Sequence, residues 1–222
     1  MLPKDIYTFF SDLEQNNSRE WFADHKPRFK ALEAEVKALG DRVVSELQSS
    51  DQVEKMKLFR IYRDVRFSKD KSPYKTHFGM AFHRLKPEFR GGYYVHIKPG
   101  DSFLAVGFWD PNKEDLLRLR KEIEMDASEL RTILNDSELQ KVWGDLTGEE
   151  VKTAPKGFSK EHPDIDLIKK KQFLFIRKLS SSEVFSSDFE SLITDSFRAI
   201  RPFFDYCSSV LTTDLNGESL LN

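Results

Sequence analysis

The strongest chemical signal in the sequence is a cluster of cations between residues 57 and 75. The cations are Lys57, Arg60, Arg63, Arg66, Lys69, Lys71 and Lys75, and only Asp64 and Asp70 oppose them. Arginine can bind carboxylate or phosphate through two parallel hydrogen bonds, and lysine adds a mobile positive charge. These residue types therefore predict a site for an anion of the phosphate or nucleotide type.

The cluster and its neighbours supply a specific set of expected site residues. The expected ligand-binding side chains are Arg60, Tyr62, Arg63, Arg66, Lys71, Tyr74 and Lys75. The expected catalytic side chains are Asp64, which would orient an arginine, and His77, which would act as an acid or base because imidazole titrates near neutrality. The ligand expected for this set is a phosphorylated small molecule.

Two other interpretations of the same cluster stay open. A net charge of -2 and a pI near 6.2 lack the basic excess of dedicated nucleic-acid proteins, so a binding module for nucleic acid or an acidic protein ranks second. The third interpretation is a structural ion-pair cluster, in which acidic side chains of the same protein satisfy the arginines. An arginine on an apolar strand face needs a partner in either case.

Several other activities have no support in the sequence. The histidines lack metal-site spacing, so no metal is predicted, and no motif points to a cofactor or an oligomeric state. The stretch from Ser68 to Ser72 lacks the glycines of a phosphate-binding loop, and the single cysteine, Cys207, is expected in the core. Neither a signal peptide nor an apolar run of membrane length is visible, which predicts a cytoplasmic protein.

Helices are predicted at the N-terminus. Ile6, Phe9, Phe10 and Leu13 have helical spacing, and Asn17 with Glu20 predicts a capping box for the next helix. Pro27 predicts a break or a new first turn, followed by a long amphipathic helix from Arg28 to about Gln48.

The cation cluster itself is predicted to lie on a strand. Residues 58–67 are rich in β-branched and aromatic side chains and end in a turn-like stretch at Ser68 to Pro73. Strand alternation sends Arg63 inward together with four apolar residues. These residues are Phe59, Ile61, Val65 and Phe67.

The rest of the chain predicts an α+β fold. Strands are expected at residues 76–83, 93–98, 103–109 and 171–178, and Asp110 with Pro111 is expected to begin a helix. Further helices are expected near residues 128–135, 137–143 and 189–211, the last of them interrupted or kinked at Pro202. The prediction is a mainly antiparallel sheet bracketed by N-terminal and C-terminal helices in one domain, residues 1–211, with a frayed tail at residues 212–222.

Longer motifs resemble a known family. They are the stretches 16–22 (NNSREWF), 59–76 (FRIYRDVRFSKDKSPYKT), 92–94 (GYY) and 155–158 (PKGF), with His162-Pro163. In these the chain resembles the family of domain of unknown function 2461, found in bacteria and fungi, from Phe9 to about Tyr206. The resemblance implies a single-domain module and carries over no catalytic residue.

Overall fold

The computed structural model describes residues 1–221, and α-helices make up the largest part of it. The first five helices along the chain are α1 (Asp5–Gln15), α2 (Arg19–Leu47), α3 (Lys113–Met125), α4 (Ser128–Leu134) and α5 (Ser137–Trp143). They are followed by α6 (Ile165–Ile168), α7 (Ser181–Val184), α8 (Phe189–Ala199) and α9 (Arg201–Thr212).

Five strands form one antiparallel sheet. They are β1 (Val53–Leu58), β2 (Phe78–Arg84), β3 (Gly92–Ile97), β4 (Ser102–Phe108) and β5 (Phe173–Leu179). Each strand pairs with its neighbour in sequence, in the order β1-β2-β3-β4-β5. The predicted α+β class with a mainly antiparallel sheet is thereby confirmed.

The chain divides into two compact units. Unit 1 contains residues 1–82, 94–104 and 178–194, and unit 2 contains residues 83–93, 105–177 and Asp195 onward. The domain bounds 1–211 and the frayed tail 212–222 stay predictions, and the last tail residue, Asn222, lies outside the described residues. Across residues 1–221, no helix is long and apolar enough to cross a membrane.

In unit 1, helices α1 and α2 pack on the aromatic core by way of their apolar stripes. Phe10 and Phe29 lie with their ring centroids 4.9 and 5.6 Å from that of Phe78 on β2. Every apolar residue expected in the α1 stripe is buried. Burial of one such ring stabilises the fold by about 1.5–3 kcal/mol, so the stripes position α2 firmly against the sheet.

The start of α2 and its proline differ from the prediction. Ser18, not Asn17, caps the helix by accepting a hydrogen bond from the Trp21 N–H at 3.2 Å. The helix runs through Pro27 without a break. Burial of the stripe on both sides of Pro27 outweighs the one backbone hydrogen bond that proline removes.

The predicted strand over residues 58–67 is wrong. The strand in this region is β1, which ends at Leu58, and residues 59–77 have no regular secondary structure; we call them the central segment. Phe67, expected to point inward, is 97% exposed, and the Arg63 side chain is 28% exposed. Residue types that favour a strand still need a neighbouring strand and a buried face, and part of this segment is exposed to solvent.

Smaller corrections concern helix starts in unit 2. Asn112, not Asp110, caps α3 by accepting from the Asp115 N–H at 2.7 Å. The interruption expected at Pro202 is present: helix α8 ends at Ala199 and α9 begins at Arg201, with Pro202 in the first turn, where proline is well tolerated. Cys207 is buried as expected, and burial raises the pKa of its thiol.

Arg84 is a buried charged residue of unit 2, with 1% of its surface exposed. Its guanidinium donates to the Arg90 carbonyl at 2.6 Å and forms an ion pair with Asp205 at 3.5 Å. It also lies between the rings of Phe89 and Phe204, 5.3 and 5.0 Å from their centroids. The planar cation thus fixes the loop between β2 and β3 to α9.

We expect Arg84→Ala to lower the free energy of unfolding by about 3 kcal/mol, because it opens a gap between two rings and leaves a buried carbonyl unsatisfied. Arg84→Met should lose less stability than Arg84→Ala, since methionine fills much of the same space. Arg84→Lys should lose more stability than Arg84→Met, because an ammonium group cannot stack on the rings or donate two parallel hydrogen bonds. Urea denaturation measures this, with the exposed Arg19→Ala as control. Equal stability of Ala and Met variants would contradict the stacking argument.

Candidate functional site

The central segment closes on itself through an isolated pair of residues. Tyr62 and Tyr74 form an antiparallel bridge, in which the Arg63 N–H donates to the Pro73 carbonyl at 2.9 Å. The Lys75 N–H donates to the Ile61 carbonyl at 2.8 Å. These bonds bring both ends of the cation-rich stretch together, although no strand forms.

Asn17 attaches this bridge to the start of α2. Its side-chain Nδ2 donates to the Tyr74 carbonyl at 3.0 Å, and its Oδ1 accepts from the Tyr74 N–H at 3.1 Å. The Tyr74 ring stacks on Phe22 of α2 with centroids 4.1 Å apart. The residue expected to cap a helix therefore positions the site instead.

A cavity of about 550 Å³ opens beside the bridge in unit 1. It is lined by Glu14, Asn17, Arg63, Asp64, Asp70, Ser72, Tyr74, Lys75, Thr76 and His77. Five of the expected site residues are thus brought together, namely Arg63, Asp64, Tyr74, Lys75 and His77. The other four, Arg60, Tyr62, Arg66 and Lys71, are not part of its lining.

Two of the three arginines have carboxylate partners from the central segment. Arg63 pairs with Asp70, which also accepts from the backbone N–H and the hydroxyl of Ser72 at 2.9 and 2.7 Å. The Ser72 hydrogen bonds, and then Arg63, hold the pKa of Asp70 well below its usual range. Asp70 is therefore ionised at neutral pH and neutralises Arg63.

Arg66 is paired in the same way. Its Nε and Nη2 donate to Asp64 at 2.9 and 2.6 Å, and these hydrogen bonds lower the pKa of the Asp64 carboxyl. Asp64 therefore orients an arginine, as the sequence predicts, but both side chains are at least half exposed. Solvent screens an exposed pair of this kind, so it contributes little to stability.

The lysines differ from the arginines in their partners. Lys71 is exposed and its Nζ donates to the Val65 carbonyl at 2.9 Å. Lys75 is half-buried, and its Nζ donates to the Arg60 carbonyl at 3.1 Å. Burial lowers the pKa of Lys75, and repulsion by Arg60 and Lys57 lowers it further. Among residues 1–221, no ion pair joins Lys75 to a carboxylate, in contrast to Arg63 and Arg66.

The two expected tyrosines have different exposures. Tyr62 is 49% exposed and its ring centroid lies 5.4 Å from that of Tyr74. Tyr74 is 5% exposed, and burial raises the pKa of its hydroxyl. Tyr74 can therefore pack the segment against α2, whereas only Tyr62 offers a ring to a ligand.

His77 belongs to a row of side chains that crosses unit 1. Its ring lies 4.2 Å from that of His96, which stacks on Phe103 at 4.6 Å with nearly parallel planes. The Nζ of Lys178 lies 5.1 Å from the centroid of Phe103. We call these four residues the stacked row.

Tyr94 and Gly79 hold the stacked row from one side. The Tyr94 hydroxyl is 3.1 Å from Nδ1 of His96. A Cβ atom on Gly79 would lie 2.5 Å from the Tyr94 oxygen, so only glycine leaves room for this ring. Sequence alternation puts Tyr94 and His96 on one face of β3, but the register that sets them beside His77 is a tertiary property.

Burial sets the charge of the two histidines. It lowers the pKa of His77 to about 4, with further contributions from His96 and Lys75. Burial also lowers the pKa of His96 to about 4. Both rings are therefore neutral at pH 7, and His77 with so low a pKa is a weak base there. Within residues 1–221, no group of three or more His, Cys, Asp or Glu side chains could hold a metal ion.

We expect Asn17→Ala to loosen the central segment, because two hydrogen bonds to Tyr74 are lost at about 0.5–1.5 kcal/mol each. Hydrogen exchange should show faster exchange of the Arg63 and Lys75 amides, which form the bridge. The matched control is Asn16→Ala, since Asn16 donates only to the Asp12 carbonyl on the exposed surface. Equal exchange in both variants would show that Asn17 does not anchor the segment.

We expect the two histidines to make stability fall with acid. Their folded-state pKa values near 4 lie below the ordinary 6.5, so the unfolded chain binds more protons between these values. Their contribution is fully present above pH 6.5 and is lost as the pH falls toward 4. Melting temperatures between pH 6.5 and 5 should therefore fall less steeply for the double variant His77→Gln, His96→Gln than for the wild type. Parallel slopes would contradict this.

Comparison with known proteins identifies the family. No curated protein and no solved structure matches the chain significantly. The family described as "Conserved hypothetical protein (DUF2461)" matches residues 5–206, a range that includes the central segment, the stacked row and every expected site residue. The resemblance seen in the motifs of the sequence is thereby confirmed, and the chain belongs to this family of domain of unknown function 2461.

Proposed function

We propose that the protein binds a phosphorylated small molecule at three cations of unit 1, Lys57, Arg60 and Lys75. One observation carries the proposal. In the described part of the chain, none of these three side chains forms an ion pair with a carboxylate, although they lie close enough for Arg60 and Lys57 to lower the pKa of Lys75. We call them the open cation group.

The physical argument is that uncompensated like charges favour an anion. Three cations that repel one another raise the electrostatic potential above them, and a phosphate of charge near -2 relieves this repulsion. The Nζ atoms of Lys57 and Lys75 both lie over the Phe59 ring, 5.2 and 5.5 Å from its centroid. Both ammonium groups therefore lie close to the same ring.

The ion pairs indicate which of the expected site residues could contact the ligand. Arg63 and Arg66 have Asp70 and Asp64 as partners, so they shape the central segment and add less to anion binding. This supports the ion-pair interpretation for these two arginines only. His77 lines the cavity beside Lys75 and is the proposed proton acceptor for a bound ligand.

A nucleic acid is the weaker candidate ligand. The stacked row offers aromatic rings, but Phe103 has His96 on one side and Lys178 near its ring. Lys178 also pairs with Asp101 at 2.6 Å, so its charge is compensated. Bases need free ring faces and uncompensated cations along the backbone, and neither Phe103 nor Lys178 meets these conditions.

We expect phosphate-bearing ligands to raise the melting temperature of the protein. Inorganic phosphate, ribose 5-phosphate and AMP are suitable probes, with ribose and adenosine as neutral controls. A ligand at 100 times its dissociation constant should stabilise the fold by about 2.7 kcal/mol. The double variant Lys57→Ala, Arg60→Ala should lose this response, whereas the exposed Lys152→Ala in unit 2 should keep it.

The same titration separates the alternatives. A single-stranded oligonucleotide that stabilises the protein far more than AMP, with a steep loss of affinity as salt increases, would favour nucleic acid instead. No stabilisation by any phosphate compound, or the same stabilisation in the double variant as in the wild type, would contradict the proposal.

A further inference from the structure

Lys75 has surroundings unlike those of the other lysines in the cation cluster. The residue is half-buried and lines a cavity, and its ammonium group contacts a backbone carbonyl at the exposed surface and the Phe59 ring. Its charged neighbours are Arg60 and Lys57. A lysine that is partly removed from water, without a carboxylate and beside other cations, loses part of what stabilises its protonated form.

A neutral lysine amine is a nucleophile toward carbonyl compounds. Enzymes obtain such an amine by placing a lysine in a partly desolvated site or next to another cation, and both conditions are met here. Lys71 provides an internal comparison. Its Nζ also donates to a backbone carbonyl, but its side chain is exposed and does not line the cavity.

We propose that the Lys75 amine forms an imine with a phosphorylated aldehyde or ketone whose phosphate lies against Lys57 and Arg60. The inference rests on the proposed function, because the open cation group supplies the phosphate contact. The amine nitrogen attacks the carbonyl carbon and a proton moves from nitrogen to the carbonyl oxygen. The resulting carbinolamine loses water as the carbon–nitrogen double bond forms, so no oxidant, reductant or further reactant is needed.

The geometry also limits the size of the ligand. The cavity of about 550 Å³ reaches from Lys75 and His77 to Asn17 and Asp70. Such a volume admits a sugar phosphate or a single phosphorylated ring compound. A ligand with its phosphate at Lys57 and Arg60 and its carbonyl at Lys75 would extend into this cavity past His77.

The test uses pyridoxal 5′-phosphate as a phosphorylated aldehyde, followed by reduction with borohydride and peptide mapping by mass spectrometry. At low probe concentration we expect Lys75 to be labelled several-fold more than Lys71. Unphosphorylated pyridoxal should label Lys75 less, and excess inorganic phosphate should protect it. Lys75→Arg should remove the preferred label, and Arg60→Ala should reduce it.

The outcomes separate this inference from the proposed function. If phosphate raises the melting temperature but Lys75 is labelled no more than Lys71, the imine is overturned and the anion site stands. If Lys75 is preferred equally by both probes and phosphate neither protects nor stabilises, then a phosphorylated substrate is overturned along with the proposed function. Labelling spread evenly over exposed lysines would also overturn the imine.

Discussion

The candidate site depends on one contact, the double hydrogen bond between the Asn17 side chain and the backbone of Tyr74. The central segment has no regular strand to hold its backbone, so few internal hydrogen bonds fix its path. An amide side chain can donate and accept at once, which satisfies both backbone groups of one residue as a neighbouring strand would. The Phe22 ring adds apolar contact, and α2 therefore acts as the rigid support of a segment that is otherwise irregular.

The cations of the central segment fall into two groups, those that form an ion pair with a carboxylate and those that do not. Asp64 and Asp70 each form an ion pair with one arginine. The partners of each pair are only two or seven residues apart in the sequence, so both pairs are local. Local pairs close turns in the chain but leave the cations at either end of the segment without acids. The open cation group is therefore a consequence of composition, since seven cations share two carboxylates between Lys57 and Lys75. Of the three residues in this group, Lys75 lines the cavity.

Patterns of one element could be predicted from the sequence, whereas relations between elements could not. The stripe of α1 and the meander of strands follow from periodicity, because each pattern repeats within a few residues. The central segment was predicted as a strand since its residue types favour one, but strand formation needs a paired neighbour and a buried face. Asn17 shows the same limit. Its type suits a helix cap, and only the fold brings Tyr74, 57 positions away, within hydrogen-bonding distance.

The stacked row explains why the site could combine binding with proton transfer. Burial keeps His77 and His96 neutral, and the stacking of His96 on Phe103 holds the rings in place without a charged partner. A protonated His77 would face the positive charge of Lys75, so the same cations that favour an anion also disfavour an imidazolium. A phosphate bound at the open cation group would offset that charge. Ligand binding should therefore raise the proton affinity of His77 and of the Lys75 amine together, which couples occupancy of the site to its acid–base state.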